Sequence, residues 1–132
     1  LGQEAKEGKR RVKKLEDALA GYEAGDLVGR AESRVVTAVL AERGADAARA
    51  LALAVIRRGD FVALVGARSG SRSHLILARS DALPIDLRPL AAELATLMNG
   101  KGGGSPSLVE IAGDPAADLD GLLRTAAAKI GP

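Results

Sequence analysis

Two apolar runs separated by a short polar turn constrain the fold of this chain most strongly. Residues 61–67 read Phe-Val-Ala-Leu-Val-Gly-Ala, and residues 73–79 read Ser-His-Leu-Ile-Leu-Ala-Arg. A continuous apolar run such as the first is typical of a central β-strand that is covered on both faces. The turn at residues 68–71 is short enough to join the two runs directly. The sequence therefore predicts a β-hairpin whose first strand lies inside a sheet.

Strand and helix patterns alternate around this hairpin. Residues 34–40 are rich in β-branched side chains and predict a strand, and residues 108–112 predict a short one. Three other segments carry apolar side chains at helical spacing, and Asp46, Asp86 and Asp114 are interpreted as their N-caps. Gly59 and Asn99 mark two helix ends. The side chains expected to face the core are Ala48, Leu51, Ala52 and Val55, then Leu87, Leu90, Ala91, Leu94 and Leu97, and finally Leu119, Leu122, Leu123, Ala126 and Ile130.

The N-terminal segment, to about Ala31, has the pattern of a long helix. Val12, Leu15, Leu19 and Tyr22 recur at spacings of three and four residues and form one apolar stripe. Lysine and arginine fill the other faces. Glycines at positions 21, 25 and 29 weaken the later turns, so we expect the helix to end near one of them.

These patterns together predict an α/β fold. A mixed sheet of about four to five strands is packed with helices and preceded by an N-terminal basic helix. Residues 1–31 form a helical connector in this interpretation, and residues 32–132 form the α/β domain. A length of 132 residues with 47% hydrophobic side chains suits one soluble domain.

The distribution of charge is more informative than the net charge of +2. Five of the six residues from 9 to 14 are basic, and two arginines flank the hairpin turn. Such clusters are candidates for contacts with a phosphate backbone, and solvated helix and turn surfaces are the alternative interpretation. The candidate cations are Lys9, Arg10, Arg11, Lys13, Lys14, Arg68 and Arg72.

The segment Lys101-Gly102-Gly103-Gly104-Ser105-Pro106 is the sharpest local signal. Consecutive glycines are expected to form an irregular loop whose backbone N–H groups turn toward an anion, while Lys101 adds a point charge. A tight turn without function is the alternative. The segment is neither a Walker loop nor a dinucleotide fingerprint, because Lys101 precedes glycine and the loop leads from a helix into a strand.

Several kinds of chemistry are disfavoured by composition. The chain has no cysteine and one histidine, His74, so it lacks the ligands of an ordinary zinc site. His74 is interpreted as a structural histidine. Only 2% of residues are aromatic, whereas modules that bind single strands stack bases on aromatic rings. If the chain binds RNA, we expect it to contact the phosphates and shape of a folded molecule.

Several segments together resemble a known family. Arg79-Ser80 ends the second hairpin strand, Asp86-Leu87-Arg88 opens a helix, and residues 99–107 contain the glycines followed by Ser-Pro. This combination resembles the DHH-associated C-terminal domain of alanyl-tRNA editing proteins and of alanyl-tRNA synthetases. Residues 14–16 and 22–24 are similar to the helix that leads into that domain. Glu110 departs from the family pattern after the glycines and places an acid near them.

The resemblance implies an accessory domain that contacts tRNA, most specifically tRNA-Ala, in a cytoplasmic protein with no membrane segment. The hydrolytic zinc centre is expected in a separate, preceding domain, with no cofactor in this chain. A homodimer is a further expectation. The alternatives are the substrate-binding domain of a DHH-type phosphoesterase and a dimerisation module. The candidate binding residues thus also include Arg79, which belongs to the resembling motif, and the glycine segment Lys101, Gly102, Gly103, Gly104 and Ser105.

Overall fold

The chain forms a five-stranded sheet between helices. The computed structural model describes residues 2–41, 43–69, 71–115 and 118–131, with side chains from residue 13 onward apart from residue 69. Among these residues no helix is both long and apolar enough to cross a membrane. The elements in chain order are α1 (Gly2–Arg30), β1 (Val35–Ala41), α2 (Ala45–Ile56), β2 (Val62–Ser69), β3 (Arg72–Arg79), α3 (Arg88–Leu97), β4 (Lys101–Ser105), β5 (Leu108–Gly113) and α4 (Leu119–Ile130).

The sheet is mixed, as the sequence predicts. Its strand order is β1-β2-β3-β5-β4, with β1 parallel to β2 and all other neighbours antiparallel. The predicted hairpin is confirmed, since Arg68 of β2 lies opposite Ser73 of β3. Every residue from Val62 to Ala67 is buried, which confirms that β2 is covered on both faces.

The two faces of the sheet carry separate apolar cores. One core joins the sheet to α2 and part of α1, with Leu51, Val55 and Ile76 among its buried members. The other joins the sheet to α3 and α4, with Leu64, Leu94 and Leu123 buried in it. Strands with two apolar faces require this arrangement, because a single helical layer would leave one face in water.

The caps of the helices differ from the sequence expectation. Helix α2 begins one residue before Asp46, with Gly44 as its N-cap. Asp86 accepts a hydrogen bond from the Arg88 N–H at 3.0 Å but precedes the N-cap position by one residue. The side-chain hydrogen bond from Arg88 lowers the pKa of Asp86 to about 2. The assignment of Asp114 is wrong, because Asp118 caps α4 by accepting from the Gly121 N–H at 3.1 Å.

Two apolar surfaces face solvent. Leu97 was expected in the core but is 64% exposed, and the following Met98 is buried instead. In the α1 stripe Leu15, Leu19 and Tyr22 are also exposed, at 70%, 47% and 82%, and the side chain of Val12 lies outside the described residues. Helix α1 contacts α2 through the opposite face, which contains Ala20, Ala24, Leu27 and Val28. It continues through Gly21 and Gly25 and ends one residue after Gly29.

The glycine segment is a strand, so the expectation of an irregular loop is wrong. Residues 101–105 form the edge strand β4, which pairs with β5 and is exposed throughout. A Cβ atom at Gly102 would lie 2.7 Å from Ile111 Cγ1 and 2.8 Å from the Glu110 carbonyl oxygen. A Cβ atom at Gly103 would meet nothing within 4 Å. Packing therefore explains the glycine at 102 and gives no reason for the one at 103.

This contrast predicts opposite effects of two matched substitutions. Gly102→Ala should lower the free energy of unfolding by about 1–3 kcal/mol, because the new methyl group overpacks the β4–β5 pair. Gly103→Ala should leave it unchanged or raise it by up to about 1 kcal/mol, since alanine restricts the unfolded chain more than glycine does. Urea denaturation of the two variants measures both values. Equal destabilisation would contradict the described packing of β4.

Ser80, at the end of β3, forms a buried hydrogen-bonding centre. Its Oγ accepts from the Phe61 N–H at 3.0 Å and lies 2.9 Å from the Ile56 carbonyl oxygen. A further contact joins it to the Gly59 carbonyl oxygen. The residue is 7% exposed, so water cannot replace these bonds. Ser80 thus fastens the end of α2 to the start of β2 and the end of β3.

Ser80→Ala should therefore lower the free energy of unfolding by about 1–3 kcal/mol, the cost of leaving buried backbone groups without a partner. Ser105→Ala is the matched control, because Ser105 is exposed and should change stability by less than about 0.5 kcal/mol. Thermal or chemical denaturation tests both. A Ser80→Ala protein as stable as the Ser105→Ala control would refute the role assigned to this hydroxyl.

Candidate nucleic-acid interface

The β2–β3 turn end of the sheet brings together several of the cations predicted from sequence. Arg68 and Arg72 lie on the two strands that flank the turn, and both are exposed. Lys101 begins β4 opposite Ala112 of β5, which in turn lies opposite His74 of β3. We call Arg68, Arg72, His74, Lys101 and Gly103 the turn-end surface.

The spacing of this surface follows from the sheet. Lys101 is two strands away from His74, which places their Cα atoms about 10 Å apart. Residues paired in register point to the same face, so Lys101 and His74 share the face of Ala67, which is the face covered by α2. Strands hold the backbone at these positions more rigidly than a loop does, so the groups are preorganised.

The charge of this end is mixed. Arg68 Nε donates to Ser73 Oγ at 3.5 Å, and Asp114 follows β5 at the same end of the sheet. Because Ser73 is fully buried, this hydrogen bond restrains the Arg68 side chain. Arg68 follows Ala67 in β2, so its side chain lies on the opposite face of the sheet from Arg72 and Lys101.

Glu110 is a carboxylate beside the exposed glycine strand. It lies opposite Gly103 in the β4–β5 pair. Arg49 of α2 reaches it, with Nε at 2.7 Å and Nη2 at 2.6 Å from the same carboxylate oxygen. The hydrogen bond to Glu110 raises the pKa of Arg49. This ion pair offsets part of the negative charge of Glu110, since Arg49 also contacts Asp46.

Arg49 is the residue that sequence reasoning missed at this site. Its partner Glu110 is 61 positions away in the chain, so no local spacing reveals the pair. The local signal is Asp46, three positions earlier, which also contacts Arg49 at 3.3 Å. In the sequence, Arg49 cannot be told apart from any other arginine on the surface of an alanine-rich helix.

Arg79, which the sequence offers as a candidate binding residue, lies apart from the turn-end surface. Its Nε donates to the Ile85 carbonyl and its Nη1 to the Ser80 carbonyl at 3.2 Å. It lies at the opposite end of the sheet, where its N–H also bonds the Ser107 carbonyl at 3.0 Å. Arg79 therefore orders the chain that leads into α3.

Gly104 and Ser105 also lie away from Lys101. Ser105 is four residues further along β4, which separates their Cα atoms by about 14 Å. Gly104 has a φ of +155°, and a Cβ atom there would collide with the Leu108 carbonyl oxygen. The glycine at 104 is thus required by the β4–β5 turn. Of the glycine segment, the turn-end surface includes only Lys101 and Gly103, with Gly102 between them as a packing residue.

The basic run of α1 is partly described. Lys13 and Lys14 are exposed, whereas the side chains of Lys9, Arg10 and Arg11 lie outside the described residues. One turn later, Glu16 and Leu19 line a groove with residues 43–47 at the start of α2. That is the end at which β1 finishes opposite Arg68. The basic run therefore approaches the same end of the domain as the turn-end surface.

His74 is half-buried between Ala67 and Ala112. Within the described part of the chain, no three histidine, aspartate or glutamate side chains converge on a common metal-sized site. The interpretation of His74 as a structural histidine stays a prediction.

Comparison with known proteins establishes the fold of the chain. No family model and no curated protein sequence matches it. The C-Ala domain of Aquifex aeolicus alanyl-tRNA synthetase superposes with a TM-score of 0.62 at 18% identity, over 69% of this chain and 85% of that domain. RecJ from Thermus thermophilus, a DHH-family protein solved with Mg²⁺, also gives a TM-score of 0.62, at 14% identity. That similarity covers 93% of this chain but only 19% of RecJ. The chain thus has the fold of a domain that is found in both proteins.

Proposed function

We propose that this chain is an accessory domain that binds folded tRNA through its phosphates. The observation that carries the proposal is the exposed edge strand β4, on which Lys101 and Gly103 lie on the same face of the sheet as Arg72 of the β2–β3 turn. An edge strand has hydrogen-bonding groups that no further strand satisfies. Together these features offer a polyanion both charge and backbone donors.

The glycine at position 103 supports the proposal because packing within the domain does not account for it. Packing requires glycine at positions 102 and 104 but leaves open space at 103. A glycine in a strand weakens it and often marks the close approach of a ligand. Arg49 pairs with Glu110 beside it and reduces the negative charge at this position, although Arg49 is shared with Asp46. Gly103 is therefore the position at which a phosphate or ribose comes closest to the backbone.

The chemistry of the surface favours the backbone of a folded RNA over unstacked bases. The aromatic residues of the chain, one Phe and one Tyr, are not part of the turn-end surface. Phosphate contacts position a nucleic acid without reading its sequence. The exposed Lys13 and Lys14 of α1 add positive charge to the domain surface.

We also propose which tRNA this chain binds and what kind of protein it serves. The similarity to the C-Ala domain of an alanyl-tRNA synthetase and the residues that resemble editing proteins support tRNA-Ala as the ligand. In this account a separate domain with a zinc centre hydrolyses mischarged tRNA-Ala in the cytoplasm, and the present chain holds the tRNA.

A second candidate follows from the similarity to RecJ, which extends over 93% of this chain. In that case the same edge strand would hold the substrate of a DHH-type phosphoesterase. A short single-stranded oligonucleotide would then bind as tightly as tRNA, whereas the tRNA proposal requires preference for the folded molecule.

Lys101→Ala should weaken tRNA binding and flatten its salt dependence by about 0.7–0.9 in log–log slope, the effect of one lost phosphate contact. Lys129→Ala is the matched control, because Lys129 lies on α4 and contacts Glu93 on the face covered by α3 and α4. Fluorescence anisotropy with labelled tRNA at several salt concentrations measures both slopes. Equal slopes for the two variants would exclude Lys101 from the interface, and absence of binding by the unaltered chain would refute the proposed function.

A further inference from the structure

Asn99 is the only asparagine of the chain, and glycine follows it directly. The pair lies between the end of α3 and the first residue of β4, immediately before Lys101. An asparagine before glycine is prone to deamidation, because glycine has no side chain that hinders attack by its own backbone nitrogen. The Asn99 side chain is exposed, so water reaches its amide.

The reaction needs only the protein and water. The Gly100 backbone nitrogen loses its proton to a base in solution and attacks the Asn99 Cγ atom. A bond forms between these two atoms while the bond from Cγ to the side-chain nitrogen breaks, so ammonia leaves with a proton and a five-membered succinimide remains. Water then opens the ring at one of its two carbonyl carbons. Opening at Cγ gives aspartate, and opening at the Asn99 backbone carbonyl carbon gives isoaspartate.

In the fold, the attacking nitrogen is already engaged. The Gly100 N–H donates to the Ala95 carbonyl at 2.9 Å, and the Asn99 N–H donates to the Thr96 carbonyl at 3.1 Å. These bonds end α3 with Asn99 at a φ of +52°, which asparagine tolerates better than most residues do. The Gly100 backbone also lies close against β5, since a Cβ atom there would collide with the Ala112 carbonyl oxygen. Attack on Asn99 therefore requires the last turn of α3 to open.

This turn can open while the rest of the domain stays folded. Thr96, Leu97 and Asn99 are exposed, so separation of Gly100 from Ala95 brings little apolar surface into water. Local openings of this kind cost less free energy than global unfolding does. A reaction that proceeds from the open state follows the population of that state, when opening and closing are fast.

We propose that Asn99 is a site of spontaneous deamidation that the last turn of α3 holds closed. Its consequence for the ligand rests on the proposed function. The new carboxylate lies two residues from Lys101, at a Cα distance of at most about 7 Å, which is within the range of an exposed charge. Isoaspartate carries the same charge and also lengthens the main chain directly before β4. Both products oppose a polyanion at the turn-end surface, and the modified fraction rises with the age of the molecule.

The mass of the chain measures the modification, because OH replaces NH2, and peptide mapping assigns the change to Asn99. The folded chain should deamidate at least about tenfold more slowly than the same chain in concentrated guanidinium chloride, since the closed turn prevents the attack. Asn99→Gly is the control and should show no gain at this peptide. Equal rates for the folded and unfolded chain, or no mass gain in the denaturant, would overturn the proposal.

Two glycine substitutions at exposed helix positions test whether the opening is local. Leu97→Gly should speed deamidation of the folded chain about three- to fivefold, because glycine favours the open turn of α3. Ala128→Gly has a similar cost at an exposed position of α4 and should leave the rate unchanged. Circular dichroism verifies that both variants are folded. Equal acceleration by the two would show that the reaction requires global unfolding and would overturn the role of the α3 turn.

Binding of folded tRNA tests the consequence separately. Asn99→Asp should raise the dissociation constant about two- to fivefold relative to Asn99→Gly, which keeps the left-handed backbone without a charge. Equal dissociation constants would overturn the effect on the ligand. Absence of binding by the unaltered chain would refute the proposed function, whereas the deamidation site stands or falls on the mass measurement.

Discussion

The burial of β2 and β3 on both faces determines the rest of the structure. Leu64, Leu75 and Leu77 face one helical layer, while Val65 and Ile76 face the other. Side chains of this size each contribute about 1.5–3 kcal/mol when they are fully buried, so neither face can remain in water. The helices α2, α3 and α4 are therefore required elements, and the strands near the sheet edge are the ones free to meet a ligand.

The two ends of the sheet differ in how their polar residues are used. Ser80 and Arg79 close one end of the sheet with hydrogen bonds to backbone carbonyls, so this end is occupied by the fold itself. The other end carries Arg68, Arg72 and Lys101 at exposed positions. The end with Ser80 and Arg79 is therefore occupied by contacts within the fold, while Arg72 and Lys101 lie at the surface of the other end. Helix α1 adds a third surface, directed away from both.

Local patterns in the sequence predicted most of the fold. Continuous apolar runs identified β2 and β3, and helical spacing identified the buried stripes of α2 and α4, because both depend on neighbours in the chain. The caps were less predictable. Asp114 was assigned to α4 because aspartate before proline is a common helix start, whereas its N–H bonds the Met98 carbonyl at 2.9 Å and Asp118 caps the helix. The glycines of β4 were assigned to a loop because glycine disfavours strands, and pairing with β5 overrides that preference.

The candidate site was less predictable than the fold. Lys101 and the hairpin arginines are recognisable in the sequence as charges near turns, yet only the strand order brings them to one end of the sheet. In the sequence Arg79 is likewise a charge near a turn. In the fold its contacts with the Ile85 and Ser80 carbonyls hold it at the other end of the sheet. Arg49 was not identifiable because it acts through Glu110, a distant residue in the chain. Helical spacing likewise identified the stripe of α1 but not the direction in which it faces.

The central claim is that tRNA contacts the exposed end of β4 and the neighbouring hairpin. A titration of the isotope-labelled chain with folded tRNA, followed by the backbone amide signals in NMR spectra, tests it most directly. The account predicts that the signals of Arg72, Lys101 and Gly103 shift or broaden first, while those of α3 and α4 change little. Perturbation centred on α3 and α4, or an unchanged spectrum at low salt, would contradict it.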